Sequence, residues 1–275
     1  MQNLVNRLLP STSFDALRHF ARTSKQTPYD KKILWNGVSY AGYAYGLLHG
    51  CRQARKLNIH QVTAVELGVA GGNGLLALER HSKAIEKHTG VSVNVIGMDT
   101  GDGLPEPKDY RDIPYYFSKG DFQMNEVALR KRLTKGRLVL GDVCSTFGDL
   151  IAEADFAPIA FVSFDMDYYH PTKAVLDQLA VKNNGNKALP RTFMYFDNTI
   201  GNPEVLYNEF AGELLAISEF NREHTQSKVV RDRSLLAHNL NFAWYHKIYV
   251  LHQFDHELYG TNIGQQGPGA LSLKT

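Results

Sequence analysis

Residues 62–74, with the sequence VTAVELGVAGGNG, constrain the fold of this chain more than any other segment. The first part is a short, β-branched apolar run that ends in an acid, which is typical of a buried strand. Four glycines follow: Gly68, Gly71, Gly72 and Gly74. The next residues, 75–88, have a helical pattern. A strand, a glycine loop and a helix in this order predict a ligand pocket beyond the carboxyl end of a strand in an open α/β sheet.

Two classes of ligand fit the glycine loop. The spacing Glu66-x-Gly68-x-x-x-Gly72-x-Gly74 resembles the first motif of class I methyltransferases that use S-adenosyl-L-methionine (SAM). The alternative spacing Gly72-x-Gly74-x-x-Ala77 fits the dinucleotide fingerprint GxGxxA, which normally begins directly at the end of the strand. Here Gly72 lies four positions beyond Gly68 and an acid closes the strand, and both features favour SAM.

Apolar segments alternate with helical ones along the rest of the chain. The strand candidates are 62–67, 93–98, 137–141, 158–164 and 192–197, and two further extended runs lie near 228–236 and 243–251. The helix candidates are 74–88, 123–134, 145–154, 171–182 and 203–220. This alternation predicts an α/β fold with a doubly wound, mostly parallel, seven-stranded, Rossmann-like sheet, and the last run could add an antiparallel edge strand.

The same pattern divides the chain into three parts. Residues 1–58 read as an N-terminal helical extension, broken near Pro10 and Pro28, that could cap a substrate. Residues 59–260 form the predicted SAM-dependent methyltransferase domain, and residues 261–275 form a flexible tail.

Composition limits the partners and the compartment. A net charge of +2 on 275 residues gives no electrostatic reason to expect binding to nucleic acid or to an anionic membrane. Two cysteines suggest no disulfide framework, and the apolar runs are too short to span a bilayer. We therefore expect a cytoplasmic protein whose partner is a small molecule, with a homodimer as a possible assembly.

The second strand candidate ends in Asp99, followed by a long loop. An acid at this point can accept hydrogen bonds from both ribose hydroxyls of a bound nucleoside, although it could instead cap a turn. The loop then carries Tyr110, Tyr115, Tyr116 and Phe117 within eight residues. A long aromatic loop beside a cofactor is often a substrate lid, and a packed surface loop is the alternative.

Acids also follow the fourth and fifth strand candidates. Asp165 and Asp167 come after PIAFVSF, and Asp197 and Asn198 come after TFMYF. Adjacent parallel strands would bring Asp165, Asp197 and Asn198 together as oxygen ligands for Mg²⁺ or a similar divalent ion. Such an ion would lower the pKa of a substrate hydroxyl that attacks the SAM methyl group. The alternative is that these side chains cap the following helices.

His170 follows the first of these acidic pairs. Histidine is the usual general base near neutral pH, so this residue could act as one; the alternative is a surface residue at a helix start.

With these motifs in place, the chain resembles the macrocin O-methyltransferase (TylF/MycF-like) family of metal-dependent sugar O-methyltransferases. The resemblance covers residues 62–200. It is carried by Glu66-Leu-Gly68 with the Gly72/Gly74 loop, Asp99-Thr with Gly103-Leu104-Pro105, Lys119-Gly120 with Phe122, Asp165-x-Asp167-x-Tyr169-x-Pro171-Thr172, and Asp197.

The resemblance implies a role for each motif. The glycine loop would bind the methionine part of SAM, Asp99 the ribose, and Asp142 would lie near the adenine. The metal would be held by Asp165, Asp197 and Asn198. Asp165 or Asp167 could serve as the base.

One departure from the family affects the substrate class. The family usually has two acids where this chain has Asp197-Asn198, and an Asp-Asn pair is similar to the metal site of catechol O-methyltransferases. We expect a SAM-dependent, metal-assisted O-methyltransferase acting on a sugar or a glycosylated natural product. A phenolic acceptor, an NAD(P)-dependent oxidoreductase and a non-enzymatic module remain alternatives.

Overall fold

The computed structural model of the protein describes residues 11–181 and 187–264. Its helices are α1 (Ser11–Thr23), α2 (Tyr29–Leu34), α3 (Ala41–Lys56), α4 (Asn73–Thr89), α5 (Glu126–Arg132), α6 (Val143–Ala152), α7 (Tyr169–Leu179) and α8 (Gly212–Glu223). Its strands are β1 (Gln61–Leu67), β2 (Ser92–Asp99), β3 (Arg137–Leu140), β4 (Ile159–Phe164), β5 (Ala188–Phe196), β6 (Ser227–Arg231) and β7 (Ile248–Gln253).

The seven strands form one sheet in the order β3-β2-β1-β4-β5-β7-β6. The first five strands run parallel, and β7 is antiparallel to both of its neighbours. The strand order reverses at β1: β2 and β3 follow one another on one side of β1, and β4 lies on its other side. The cleft at such a reversal is where open α/β sheets bind ligands. This architecture confirms the predicted fold class.

Both faces of the central strands are covered by helices, which explains why these strands are apolar throughout. Every residue of β4 is buried. On β1, Ala64 faces one apolar layer with α3 and α4, whereas Val65 faces a second layer with α6, α7 and α8. A strand buried on both faces loses the alternation of apolar and polar residues that marks a half-exposed strand.

Helix α3 belongs to the packed core and lies directly on the sheet. A Cβ atom on Gly46 would lie 2.5 Å from the Phe161 ring, and one on Gly50 would lie 2.5 Å from the Ala160 carbonyl oxygen. Glycines therefore let the helix approach β4 closely. A role of residues 1–58 as a substrate cap stays a prediction, and residues 1–10 lie outside the described part, as do residues 265–275 of the predicted tail.

Two predicted elements begin later in the chain than expected. The last long helix begins at Gly212, not near residue 203, because residues 200–211 form a loop whose Val205 is buried and whose Leu206 has a left-handed φ of 53°. The final strand begins at Ile248, and residues 243–246 form a 3₁₀ turn that buries Trp244 and Tyr245. In both places local apolar content had suggested the wrong element.

Across the described residues, no helix has both the length and the apolar character needed to cross a membrane.

Candidate functional site

The register of the parallel strands places five chain turns side by side at one edge of the sheet. Leu67 at the end of β1 pairs with Phe164 of β4, and Phe164 pairs with Phe196 of β5. The next residues along the three strands are Gly68, Asp165 and Asp197. Asp99, the last residue of β2, pairs with Leu140 of β3. The predicted acids therefore share this edge because the strands end in register.

Gly68 allows the first turn to touch the end of β4. Its φ is +82°, and a Cβ atom there would lie 1.9 Å from the backbone oxygen of Asp165. No side chain fits that position. Just beyond it, the backbone N–H groups of Val69 and Ala70 both donate to Oδ2 of Asp99, at 2.8 and 2.9 Å. The acid predicted to bind ribose thus also holds the glycine loop.

A cavity of about 370 Å³ opens at this edge. Five aspartates line it: Asp99, Asp142, Asp165, Asp167 and Asp197. Its apolar wall is made by Met98, Leu104, Pro105, Tyr116, Phe117, Phe122, Val143, Met166, Pro171, Val205 and Tyr207. None of the described residues that line it is a lysine, arginine or histidine. The ionisable side chains that line the cavity and differ from tyrosine are therefore all acidic.

Asp165 and Asp167 lie in the acidic part of the cavity. Burial raises the pKa of the Asp165 carboxyl well above its usual range, and the charges of Asp197, Asp167 and Glu66 raise it further. Burial likewise raises the pKa of Asp167 to about 7, against a hydrogen bond from Asn198. Asp167 also has a left-handed φ of 63°, a strained backbone that tends to occur at functional sites.

The Asp197-Asn198 turn joins this cluster from β5. Asn198 is buried, and its Nδ2 donates to Oδ1 of Asp167 at 2.7 Å. Oδ1 of Asp197 accepts from the Tyr195 hydroxyl at 2.9 Å and from the Lys247 ammonium at 2.8 Å. Beneath the turn, Oε2 of the buried Glu213 accepts the Asn198 backbone N–H at 2.9 Å. The turn is thus fixed by partners from α8 and from the residue before β7.

These side chains could hold a divalent cation. Oδ1 of Asn198 is buried and has no hydrogen-bond partner among the described residues, so it is free to act as a ligand. The repulsion that raises the pKa of Asp165 would be relieved by a positive ion. Two carboxylates and an amide oxygen are hard ligands that suit Mg²⁺. The donor atoms of Asp165, Asp197 and Asn198 are therefore of the type that binds a divalent ion. The role of these residues as metal ligands stays a prediction.

A second acidic group lies elsewhere, on α7 and at the end of α8. Among the described residues, ligand atoms from three acids or histidines lie within 4.8 Å of one another only at Asp177, Glu223 and His224. The Lys173 ammonium lies 2.6 Å from Asp177 and 2.7 Å from Glu223. A lysine thus already pairs with both carboxylates of this group.

None of the four residues after β4 and β5 caps a helix. The residue before α7 is Tyr168 and the residue before α8 is Ala211, and neither makes a side-chain capping bond. The alternative in which Asp165, Asp167, Asp197 or Asn198 cap the following helices is therefore wrong. Asp142, by contrast, lines the cavity and also caps α6, where its Oδ1 accepts the Cys144 N–H at 2.9 Å.

Two loops close the apolar side of the cavity. In the loop after β2, the Tyr115 hydroxyl donates to the Val205 carbonyl at 2.6 Å, and Asn202 donates to the Tyr116 hydroxyl at 2.6 Å. Phe117 is buried against Tyr168, with ring centroids 6.1 Å apart. The aromatic loop predicted as a lid is thus tied to the loop before α8. Tyr110 lies away from the cavity and is exposed.

His170 does not line the cavity. Its Nδ1 lies 2.8 Å from Oδ2 of the buried Asp112, and its backbone N–H donates to Oδ1 of the same carboxylate at 3.1 Å. On the other side, Nε2 lies 3.2 Å from Arg111. These bonds join the aromatic loop to the start of α7. The position of His170 therefore fits a structural role in holding that loop against α7. It gives no support to the predicted role of His170 as a base.

Glu66, Gly72 and Gly74 also lie outside the cavity lining, so their predicted contact with the cofactor has no geometric support here. The Glu66 carboxyl is buried and accepts the Tyr43 hydroxyl at 3.0 Å. Burial raises its pKa to about 8. A Cβ atom on Gly74 would lie 1.8 Å from Oε1 of Glu66, so this glycine makes room for the carboxyl.

Sequence reasoning missed Glu213, Lys247, Asp112 and Tyr43. Each reaches the site or its supports across a long stretch of chain, so no local spacing pointed to it. The one available signal was chemical: Glu213 and Lys247 are charged residues within largely apolar segments. Burial also raises the pKa of Cys144 to about 11, aided by Asp142, which makes this thiol unreactive at neutral pH.

Comparison with known proteins gives structural neighbours only. No protein-family model matches this chain, and no curated protein matches it. The calicheamicin methyltransferase CalS11 is 20% identical, with 77% of this chain and 85% of that chain covered and a TM-score of 0.49. The apo structure of CalS11, described as a TDP-rhamnose 3′-O-methyltransferase, is 23% identical, with coverages of 76% and 84% and a TM-score of 0.40. The plantazolicin methyltransferase BpumL in complex with S-adenosylhomocysteine (SAH) is 9% identical, with coverages of 91% and 96% and a TM-score of 0.34.

Proposed function

We propose that this chain is a SAM-dependent, divalent-metal-assisted O-methyltransferase that acts on a hydroxyl group of a small molecule. A sugar or a glycosylated natural product is the leading acceptor. The cavity at the carboxyl edge of the sheet would hold SAM on the β1–β3 side and the acceptor beneath the aromatic loops.

The observation that carries this proposal is the charge of the cavity. Five aspartates and no basic residue line it within the described chain. SAM carries a sulfonium and an ammonium group, which such a lining attracts. A dinucleotide carries a pyrophosphate, which normally binds backbone N–H groups at the glycine loop. Here the Val69 and Ala70 N–H groups already donate to Asp99, and a carboxylate at that point repels phosphate.

The proposed roles follow from position. Asp99, at the tip of β2, would accept hydrogen bonds from the ribose, and Asp142 would lie near the adenine. The SAM sulfonium supplies the electrophilic methyl group, and a divalent ion held by Asp165, Asp197 and Asn198 would lower the pKa of the acceptor hydroxyl. Asp167 is the better base, because a pKa of about 7 lets it accept a proton at neutral pH.

The aromatic loops support a substrate with an apolar surface. Phe117, Tyr116 and Val205 would exclude water from the transfer and hold the acceptor oxygen in line with the methyl carbon and sulfur. A phenolic acceptor, as in catechol O-methyltransferases, shares these requirements. An acceptor screen should therefore include nucleoside diphosphate sugars, glycosides and catechols. The homodimer expected from the sequence stays a prediction.

The test is a calorimetric titration of the full chain with SAH, SAM and NAD⁺. We expect micromolar binding of SAH and SAM and none of NAD⁺. Asp99→Asn should weaken SAH binding at least about tenfold through the lost charged hydrogen bonds. The matched control is Asp102→Asn, which removes an exposed acid three residues away and should leave SAH binding unchanged. Binding of NAD⁺ alone would overturn the proposal.

The metal is tested separately with the double variant Asp165→Asn/Asp197→Asn. SAH affinity should survive, whereas Mn²⁺ binding and methyl transfer should vanish. An equal loss of SAH affinity would mean that these acids support the cavity itself, and that the divalent-ion part of the proposal is wrong.

A further inference from the structure

We propose that the Lys247 ammonium is an internal cation that competes with a divalent ion for Asp197 and keeps metal affinity at the acidic site low. The inference rests on the metal site of the proposed function and concerns a residue to which the sequence analysis gave no role.

The sheet topology brings Lys247 to the site. Lys247 immediately precedes β7, which pairs antiparallel with β5, and its backbone oxygen accepts the Phe196 N–H at 2.9 Å. An antiparallel strand beside a parallel one starts where its neighbour ends, so Lys247 lies next to Asp197 at the carboxyl edge. Its side chain is 13% exposed, and the ammonium lies 5.8 Å from the centre of the Tyr195 ring.

Oδ1 of Asp197 is bound by both the Tyr195 hydroxyl and the Lys247 ammonium, and Asp197 also lines the cavity. An ion held by Asp197 would therefore share one carboxylate with an ammonium group. The Lys247 ammonium also interacts electrostatically with Asp165. One lysine thus partly neutralises both carboxylates of the metal set.

This arrangement has two consequences. Without a metal, Lys247 offsets part of the repulsion among Asp165, Asp167 and Asp197, so the acidic cluster can persist in the fold. With a metal, Lys247 repels the added charge, so the ion would bind weakly and exchange readily. Removing only the positive charge should therefore tighten metal binding.

The experiment measures Mn²⁺ affinity from the electron paramagnetic resonance signal of the free ion, using the full chain. Lys247→Met should bind Mn²⁺ at least about tenfold more tightly than the wild type, since a unit charge this close to a divalent ion is strongly repelled. Lys247→Arg keeps the charge and should behave as the wild type. Adding Asp197→Asn to Lys247→Met should abolish the gain.

The matched control is Lys135→Met. It removes the same charge from another lysine–carboxylate pair, with Glu86 at 2.6 Å, at the opposite edge of the sheet. Its Mn²⁺ affinity should not change. Should Lys247→Met lack a cooperative thermal transition, Lys247→Gln tests the same loss of charge with a polar side chain.

Equal or weaker Mn²⁺ binding by the neutral variants would overturn the inference, because Lys247 would then merely hold the site in shape. SAH binding, measured in the same samples, separates this result from a failure of the proposed function. If the wild type binds no SAH, the methyltransferase proposal falls, while the Mn²⁺ comparison still decides the role of Lys247.

Discussion

Replacement of Glu66 by glutamine should make the protein more stable relative to the wild type as the pH rises. In the folded chain Glu66 is 2% exposed, and burial raises its pKa to about 8. In the unfolded chain its pKa would be about 4.3. The folded state therefore binds this proton more tightly, so the contribution of Glu66 to stability is present at low pH and is lost as the pH rises toward 8.

The magnitude follows from the linkage of proton binding and folding. Between the two pKa values each pH unit costs the wild type about 1.4 kcal/mol of unfolding free energy. From pH 5 to pH 7 the advantage of Glu66→Gln should thus increase by about 3 kcal/mol. The amide oxygen can still accept the Tyr43 hydroxyl, and any cost of burying the new amide N–H group is independent of pH.

Urea unfolding at four pH values between 5 and 8 measures this slope. The control is Glu79→Gln, because Glu79 is also buried but has the opposite shift. Burial raises the pKa of Glu79, yet hydrogen bonds from Thr134 and Lys135 outweigh it and leave the pKa below its usual value. Above pH 5 the Glu79 carboxyl is ionised in both the folded and the unfolded chain. Glu79→Gln should therefore lower the unfolding free energy by an amount that does not change with pH. A constant difference for Glu66→Gln as well would refute the reasoning.

Three further outcomes test other parts of the molecule. Gly68→Ala should cost at least about 3 kcal/mol of unfolding free energy because of the positive φ and the clash with Asp165. At Gly71 an added Cβ atom would have no neighbour within 4 Å, so Gly71→Ala should change the unfolding free energy in urea by less than about 0.5 kcal/mol. The value of kcat/KM should rise with pH to a plateau as the Asp167 base loses its proton, with a midpoint no higher than about 7 because a bound cation lowers this pKa. Asp167→Asn should remove that profile, and an unchanged profile would exclude Asp167 as the base. His170→Ala should raise the KM of the acceptor about fivefold by releasing the aromatic loop, while the Kd of SAH stays the same. An equal loss of SAH affinity would contradict the role of His170 in holding that loop.

The predicted fold class could be reached from the sequence because it rests on local patterns. The alternation of apolar strands with amphipathic helices survives in any context, and it placed β1 to β4 within two residues of their observed bounds. It failed at residues 203–211 and 243–246, where apolar residues pack into the cavity wall or the core without forming a regular element. Sequence periodicity reports burial, and burial does not require a helix or a strand.

The acids of the candidate site were predictable for the same reason. Asp99, Asp165, Asp167 and Asp197 each follow a recognisable strand, and parallel strands end at one edge. The partners of these acids were not predictable. Lys247 and Glu213 reach Asp197 and Asn198 only because β7 inserts antiparallel beside β5 and α8 packs beneath the turn.

The sequence by itself thus determined which side chains follow the strands, since strand, loop and helix are encoded locally. The tertiary structure decided the electrostatic state of those side chains. It buried Asp165 among like charges, paired one oxygen of Asp197 with a lysine, and turned His170 away toward Asp112. Charge interactions depend on distance and on exclusion of water, and both quantities exist only once the chain has folded.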